Sequence, residues 1–451
     1  MQRTARFIWD ESSDLVRMHQ IYSEKNLTLI GPISEDGNKV FSSLTYYLLL
    51  PFTIIAEFHP IGPIYATAFY GSLTVILLIL LTRKLNKDKV IFYLSALLFI
   101  VWYPLVETSR WAWNPNLIPL WSVLSILMFV KNKKWSLLLA GTFLGLTVHQ
   151  HYVGFFALCA FWLVIFLRYG KRAQFPKIFT FSLGILFALS PFIIFDMTHP
   201  PGLFLSRILY FNYLGSSEGG IYNLIPKFIA AFNGTFKYLI PVPFLMYLSF
   251  LPLTLLIFKD IKQRSDALIY IFIFIVQLAG SSLIENFYPH YIIPGIIFFL
   301  VYLIYPRQKN VLIYQKIVLL ILIIASLTTI KSQLTKVSWE NDIRSISAIT
   351  DIIAEEIVQD DLKNNNIAVV AGPDPNTYGR RYRDLLGLRG ISFKTRDEYN
   401  ITDHLFVVST AQESVIRNDR AYEMSYFNKG ELFKKWEIDD SQWIIYLFKR
   451  S

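Results

Sequence analysis

A succession of long apolar segments dominates this chain. Ten such runs occur before residue 331, and they are of roughly the length needed to cross a hydrocarbon core of about 30 Å. They lie at 61–82, 90–104, 115–130, 135–149, 152–168, 177–195, 238–258, 266–284, 290–305 and 312–330. The chain is 54% hydrophobic and only 17% charged, which departs from the balance of a soluble domain. The sequence therefore predicts a polytopic α-helical membrane protein with about ten spans.

Lysine and arginine are concentrated in every second connection between these segments. The basic connections lie around 83–89, 131–134, 168–177, 259–264 and 307–309. Because basic loops remain on the cytoplasmic side, the intervening connections are predicted to face the extracytoplasmic side of the cell membrane. The net charge of +10 is then a topology signal, and no nucleic acid is predicted as a partner.

The same alternation assigns the two ends of the chain. Residues 1–60 are predicted to form an extracytoplasmic acidic loop with an interfacial or re-entrant helix at 41–57, and residues 61–330 form the membrane bundle. Residues 331–451 are predicted to form a small extracytoplasmic α/β domain, because their composition changes abruptly. DIIAEEIVQDDL is typical of an amphipathic helix, and IAVVAG, LFVVST and WIIYLF are typical of short strands.

Cysteine usage excludes two classes of site. The single cysteine, Cys159, lies inside an apolar run, so neither a disulfide framework nor a cysteine-based metal site is possible. His149 and His151 are two residues apart and do not share a helix face, which makes a metal site from this pair alone unfavourable. We predict no metal ligands and no certain cofactor, and a divalent metal is left open.

The first acidic cluster is WDESSD, which contains Asp10, Glu11 and Asp14. Its simplest interpretation is a solvated acidic turn that precedes a helix, with Asp14 as a possible N-cap. The alternative is an acidic group that takes part in chemistry at the outer face.

A second polar group, TSRWAWNPN, follows the span 90–104. Tryptophan is expected at any membrane interface, and Pro115 suits a helix start. Interfacial anchoring accounts less well for Arg110 next to Asn114 and Asn116. An arginine at that position is suited to a lipid-linked phosphate.

The third group is HQHY, which contains His149, His151 and Tyr152 and interrupts an apolar stretch that extends from 135 to 168. A break at membrane depth is tolerated where it lines a cavity. Polar groups at that depth are costly, so they are candidates for a functional site.

The fourth group combines two outer helix ends. FDMTHPP contains Asp196 and His199, and NFYPHY contains Asn286, His290 and Tyr291. A lone histidine in such a place is more often an interface anchor than a reactive group. Their predicted placement on one side of the membrane is what makes them candidates.

The order of these motifs resembles the polyprenyl-phosphate-dependent glycosyltransferases of the GT-C fold, especially family 39 and bacterial members similar to the dolichyl-phosphate-mannose-protein mannosyltransferases. The resemblance extends over nearly the whole chain. It rests on WDESSD, LIGPIS, LTYYLLLPF, SRWAWNPN, the QHY break, FDMTH, PHYIIP and the outer C-terminal domain.

The resemblance implies a hexosyltransferase that moves a hexose or related sugar, with inversion, from a polyprenyl phosphate to an acceptor protein, lipid or glycan. In that family an aspartate of the first outer loop is the general base, which corresponds here to Asp10 with Glu11 as its acidic neighbour. Candidates for holding the donor phosphate or sugar are Arg110, Asn114, Asn116, His149, His151, Tyr152, His290 and Tyr291.

One departure and two alternatives accompany this resemblance. The family normally has a membrane helix before the acidic loop, and the expectation is that this helix is missing from the sequence as given. A transporter or lipid flippase is one alternative, although such proteins tend to show internal repeats and charges near the midplane. An enzyme similar to the O-antigen polymerases or ligases is the other.

Overall fold

The protein is seen in a computed structural model that divides into two compact units. The residues described are 5–33, 40–169, 175–206, 224–284, 287–335, 342–372 and 377–450, so Asn286 lies outside them. The first unit comprises Met1–Leu27, Leu49–Tyr65 and Leu334–Ser451, and the second comprises Thr28–Leu48 and Ala66–Gln333. The first unit therefore combines residues from both ends of the chain, which were predicted as separate segments.

Helices account for most of the described residues up to 335. In chain order they are α1 (Trp9–Glu24), α2 (Leu44–Ile55), α3 (Ile61–Leu85), α4 (Lys89–Val101), α5 (Tyr103–Thr108), α6 (Ile118–Lys131), α7 (Lys134–Gln150), α8 (Gly154–Tyr169), α9 (Phe175–Thr198), α10 (Leu224–Leu239), α11 (Pro243–Lys262), α12 (Leu268–Ser282), α13 (Ile293–Ile304) and α14 (Lys309–Thr335). A short antiparallel pair, β1 (Ile30–Ile33) and β2 (Val40–Ser42), precedes α2.

Several of these helices have the length and composition of membrane spans. Within the described part of the chain, four are long and apolar enough to cross a membrane, namely α3, α9, α11 and α14. The shorter apolar helices include α2, α4, α8, α12 and α13. A multi-pass helical membrane protein is therefore confirmed, whereas the number of ten spans and the interfacial position of 41–57 stay predictions.

Helix α13 forms the centre of the second unit. All twelve of its residues are buried, and it packs against α4, α6, α8 and α12. A helix that is apolar around its whole circumference can be stable only when neighbours cover every side. The sequence IPGIIFFLVYLI, which has no charged residue, is therefore typical of the helix at the centre of a bundle.

Helices α7 and α9 approach each other closely through small residues. A Cβ atom at Gly141 would stand 2.1 Å from the carbonyl oxygen of Phe181, and one at Gly184 would stand 2.1 Å from that of Leu138. Gly145 meets Ala188 in the same way at 2.6 Å. Small residues four apart on both helices allow the backbones to pack directly, as is common between membrane helices.

The C-terminal residues of the first unit form a four-stranded sheet with helices. The sheet has the order β3 (Asn365–Val369), β4 (His404–Ser409), β6 (Ile444–Lys449) and β5 (Glu431–Glu437). Strands β3 and β4 are parallel, and β6 pairs antiparallel with both β4 and β5. The helices are α15 (Ile343–Gln359), α16 (Arg380–Gly387) and α17 (Glu413–Arg417). The predicted C-terminal region of strands and helices is confirmed, whereas its separation as a domain of its own and its side of the membrane stay predictions.

The acidic segment at the N-terminus is helical. Helix α1 begins at Trp9 with Ile8 at the N-cap position, so Asp10 and Glu11 lie in its first turn. The interpretation of Asp14 as an N-cap is wrong, because this residue already lies inside the helix. Carboxylates in a first turn are stabilised by the helix dipole, which explains why an acidic cluster starts this helix.

Candidate functional site

The HQHY motif ends one helix of the second unit and precedes the next. Helix α7 ends at Gln150, and α8 begins at Gly154. His151 has an extended backbone, with φ −163° and ψ 139°, and its carbonyl oxygen accepts a hydrogen bond of 2.9 Å from the backbone nitrogen of Gly154. The predicted interruption of the apolar stretch is therefore confirmed, and its backbone groups are satisfied locally.

Two further breaks lie next to this one, and both have the same construction. A 3₁₀ turn at Asn114–Leu117 precedes α6, and another at Pro289–Ile292 precedes α13. In each case a proline, Pro119 or Pro294, occupies the second helical position, where its missing N–H costs nothing. These turns place NPN and PHY at helix starts beside the HQHY break.

The side chains of these three breaks form one aromatic and amide cluster. His151 stacks on Phe41 with 5.0 Å between ring centroids and lies edge-on to His290 at 5.4 Å. Tyr291 is 5.8 Å from His151 and 4.3 Å from His290. Trp113 meets His290 edge-to-face at 4.4 Å. The structure thus brings His151, His290 and Tyr291 together, although they are distant in sequence.

The two asparagines fix backbone at the edge of this cluster. The side-chain nitrogen of Asn114 donates to the carbonyl oxygen of Gln150, and that of Asn116 donates to the carbonyl oxygen of Trp111 at 2.9 Å. Both asparagines are buried. Each amide therefore holds a helix end in position, and the Asn114 bond joins the NPN turn to the HQHY break.

His149 and Tyr152 are engaged in structural bonds. The Nε2 atom of His149 lies 2.6 Å from the carbonyl oxygen of Ala188, and its Nδ1 atom lies 2.9 Å from the Ser42 hydroxyl. A carbonyl can only accept, so Nε2 carries the proton and Nδ1 accepts from serine. Tyr152 donates its hydroxyl to the carbonyl oxygen of Val40. These contacts leave neither nitrogen of His149 for a ligand.

Gln150 is the remaining residue of the HQHY motif, and it is fully buried. Its side-chain oxygen accepts a 2.8 Å hydrogen bond from Thr45, and its carbonyl oxygen accepts from Asn114. Its amide nitrogen is buried and has no partner among the described residues. An unsatisfied buried donor costs about 1–3 kcal/mol, so this nitrogen is a candidate for contact with a ligand oxygen.

Arg110 belongs to a second polar group. Its backbone nitrogen donates to the carbonyl oxygen of Glu107 at 3.0 Å, and the Glu107 carboxylate is hydrogen-bonded to the hydroxyls of Tyr103 and Tyr238. Burial lowers the pKa of Arg110, and the nearby Tyr103 hydroxyl and Glu107 carboxylate oppose this effect. The guanidinium stays charged at neutral pH, so Arg110 offers a positive charge that Glu107 partly balances.

The sequence did not identify Glu107 or its partners Tyr103 and Tyr238 as candidates. Glu107 precedes the TSRWAWNPN motif directly and resembles an acidic residue of a solvated turn. The available signal was its spacing, because Tyr103 and Glu107 are four residues apart and share a helix face. Tyr238 has no such signal, since only tertiary packing brings its ring to 5.6 Å from that of Tyr103.

The two acidic candidates lie in the first unit and differ in their surroundings. Glu11 is 4% exposed and accepts a 2.9 Å hydrogen bond from the backbone nitrogen of Ile8 through one oxygen. Its other oxygen has no hydrogen-bond partner in the described part of the chain. Burial raises the pKa of Glu11 to about 7, against the lowering effect of Arg6. Asp10 is only half-buried, so its carboxylate is the better placed of the two to exchange protons with solvent or substrate.

Metal binding finds no support in the residues described. Across the described ranges, no three histidine, cysteine, aspartate or glutamate side chains are grouped so that they could hold an ion.

Part of the chain matches a known protein family. A model of the family dolichyl-phosphate-mannose-protein mannosyltransferase matches residues 65–198, which is less than a third of the chain. This segment contains the TSRWAWNPN group and the HQHY break. Among curated proteins, none matches the chain at a significant level.

The fold is similar to two crystal structures of ArnT from Cupriavidus metallidurans. The structure bound to undecaprenyl phosphate aligns with a TM-score of 0.57 and 10% identity, covering 99% of this chain and 94% of that one. The apo structure aligns with a TM-score of 0.58 at the same identity and coverage. The predicted resemblance to the GT-C glycosyltransferases is confirmed. At this identity the ArnT likeness defines the fold of the GT-C-like chain and nothing finer.

Proposed function

We propose that this GT-C-like protein is an inverting membrane glycosyltransferase that moves a hexose or related sugar from a polyprenyl phosphate to an extracytoplasmic acceptor. The observation that carries the proposal is the cluster formed by three helix breaks inside an apolar bundle. A polar cluster at such breaks is expected where a membrane protein receives a polar headgroup. The ArnT structure with undecaprenyl phosphate supports a lipid phosphate as that headgroup.

In this proposal a charged side chain, an amide and two aromatic rings bind the donor. Arg110 supplies a positive charge for the phosphate. The unsatisfied amide nitrogen of Gln150 donates to a phosphate or sugar oxygen. Trp113 and His290, whose rings meet at 4.4 Å, offer an apolar face and a polar edge for the sugar ring. Asn114, Asn116, His149, His151, Tyr152 and Tyr291 hold these groups in place or extend the same surface.

Asp10 is the general base in this proposal, as the resemblance to the GT-C glycosyltransferases implies. The acceptor hydroxyl oxygen forms a bond to the anomeric carbon from the face opposite the phosphate, and the carboxylate of Asp10 takes its proton. The bond between the anomeric carbon and the phosphate oxygen breaks, and both of its electrons leave with polyprenyl phosphate. Positive charge near the phosphate stabilises that leaving group. The configuration at the anomeric carbon inverts in this single displacement.

A transfer assay tests this function. Membranes that contain the protein are incubated with a radiolabelled polyprenyl-phosphate hexose, and the product is separated into lipid, protein and glycan fractions. Label is expected to leave the donor and to appear in one of these fractions, which identifies the acceptor class. Membranes from cells without the protein provide the background.

Two results would contradict the proposal. Donor that crosses to the other leaflet with its sugar still attached, and with no labelled product, would indicate a transporter or flippase. Label that appears as polymerised sugar still carried on polyprenyl pyrophosphate would indicate an enzyme of the O-antigen polymerase type. A parallel assay with polyprenyl-phosphate aminopentose covers a related sugar.

A further inference from the structure

The first turn of α1 is held by α16 of the C-terminal domain, and both belong to the same compact unit. The Ser12 hydroxyl donates to a carboxylate oxygen of Asp384 at 2.6 Å, and the Ser13 hydroxyl lies 3.5 Å from the same oxygen. About one turn earlier in both helices, the guanidinium carbon of Arg380 lies 5.6 Å from the centre of the Trp9 ring. Helix α1 is thus joined to α16 by a hydrogen bond and a cation–π contact.

The position of these contacts along α1 is specific. Trp9 precedes Asp10, and Ser12 follows Glu11, so the two contacts lie on either side of the acidic pair. A helix held at both points cannot rotate about its axis without breaking one of them. Since the rotation of α1 sets the direction of the Asp10 side chain, the contacts with α16 control that direction.

The Asp384 carboxylate lies between Ser12 of α1 and Arg380 of its own helix. Its side chain is 20% exposed and lies 4.0 Å from Arg380 on the preceding turn of α16. Burial raises the pKa of Asp384, while the bonds from Ser12 and the charge of Arg380 lower it. The helix is anchored independently, because Tyr382, Leu385 and Leu386 are buried. The packing of α16 therefore does not depend on the Asp384 carboxylate, which makes the contact with α1.

We propose that Asp384 and Arg380 are positioning residues, through which the C-terminal domain fixes the orientation of Asp10 for proton abstraction. This inference rests on the proposed function, in which Asp10 is the base. Displacement of a catalytic group by about 1 Å can reduce a rate about 100-fold. Loss of the Ser12–Asp384 bond is accordingly expected to lower kcat while KM for the donor stays the same, since the donor-binding candidates lie elsewhere.

A double-mutant cycle in the full-length protein tests the pairing. Ser12→Ala, Asp384→Ala and the double variant are compared in the transfer assay, with Asp351→Asn as a control at an exposed ion pair of α15 with Arg389. If the bond acts as a unit, the two single variants and the double variant lose kcat equally, by about tenfold or more. Additive losses, or a loss confined to KM, would overturn the proposal.

A second measurement is independent of sugar transfer. In a Cys159→Ala background, Asp10→Cys reports on the first turn of α1 and Glu24→Cys reports on its exposed last turn. Maleimide labelling at position 10 is expected to rise several-fold when Asp384→Ala is added, with no change at position 24. Equal labelling with and without Asp384→Ala would overturn the positioning role even if transfer is observed. Increased labelling at position 10, together with no sugar transfer by the native protein, would uphold the contact and refute the proposed function.

Discussion

Among the individual residues, Glu11 has the most unusual environment. Its carboxyl is buried in the first turn of α1, and burial raises its pKa from 4.5 to about 7. Below pH 4.5 the group is neutral in both the folded and the unfolded protein. As the pH rises towards 7, the unfolded protein loses this proton while the folded protein keeps it, so stability falls and then levels off.

Replacement of Glu11 by glutamine should remove this pH dependence. Glutamine can still accept the bond from the Ile8 nitrogen, and it carries no charge to bury. Near pH 4.5 the free energy of unfolding of the variant is expected to equal that of the native protein. At pH 8 it is expected to be larger by up to about 3 kcal/mol. Thermal melting in detergent from pH 4.5 to 8 measures this, with Glu24→Gln on the exposed end of α1 as control. A stability difference between Glu11→Gln and the native protein that does not change with pH would contradict the raised pKa of Glu11.

His149 and His290 should behave differently when each is replaced by alanine. His149 links Ser42 to the carbonyl oxygen of Ala188, so its loss is expected to cost about 2–3 kcal/mol of stability and to lower transfer per folded molecule less than the loss of His290 does. His290 is only half-buried, and its loss is expected to lower transfer with little change in melting temperature. Melting curves and transfer rates for both variants provide the comparison, and the reverse pattern would contradict the donor-binding role of His290.

The sequence indicated the residues of the three helix breaks, but it did not indicate all the residues that form hydrogen bonds near them. HQHY, NPN and PHY stand out because polar side chains interrupt apolar runs. Glu107 and Tyr238 were missed, because their significance comes from hydrogen bonds and burial that arise only in the folded chain. Contacts between distant segments leave no local pattern.

Secondary-structure elements were predictable where one of their faces is buried. IAVVAG, LFVVST and WIIYLF correspond to β3, β4 and β6, whose residues are largely buried. The edge strand β5 was missed because Lys434 stands in the middle of its half-buried face, and its register with β6 is irregular between Leu432 and Lys434. Helix α10 was also missed, since polar residues interrupt its apolar pattern.

The close approach of α7 and α9 leads to a prediction about Gly184. An alanine Cβ there would stand 2.1 Å from the carbonyl oxygen of Leu138, so the helices would have to separate. Gly184→Ala is expected to lower stability by about 1–3 kcal/mol. Gly387→Ala in α16 is the matched control, because its added Cβ would meet nothing within 4 Å. Melting temperatures of both variants test this, and equal values would show that the helix pair can adjust.

For the whole molecule, the charge alternation gives an orientation that labelling can test. Asn132 and Asp439 are exposed, and the sequence predicts the first on the cytoplasmic side and the second outside. Each is replaced by cysteine in a Cys159→Ala background, and intact cells are treated with a membrane-impermeant maleimide. Label is expected at position 439 alone, and at both positions after lysis. Label at 132 alone in intact cells would invert the orientation.

Sugar transfer by the Asp10→Asn variant tests the central claim most directly. Asparagine keeps the size of aspartate and one acceptor oxygen, but it cannot take a proton at neutral pH. With radiolabelled polyprenyl-phosphate hexose and membranes that contain equal amounts of folded protein, transfer should fall by about 100-fold or more relative to the native protein. The exposed control Glu24→Gln should retain full activity. Unchanged transfer by Asp10→Asn would exclude Asp10 as the general base.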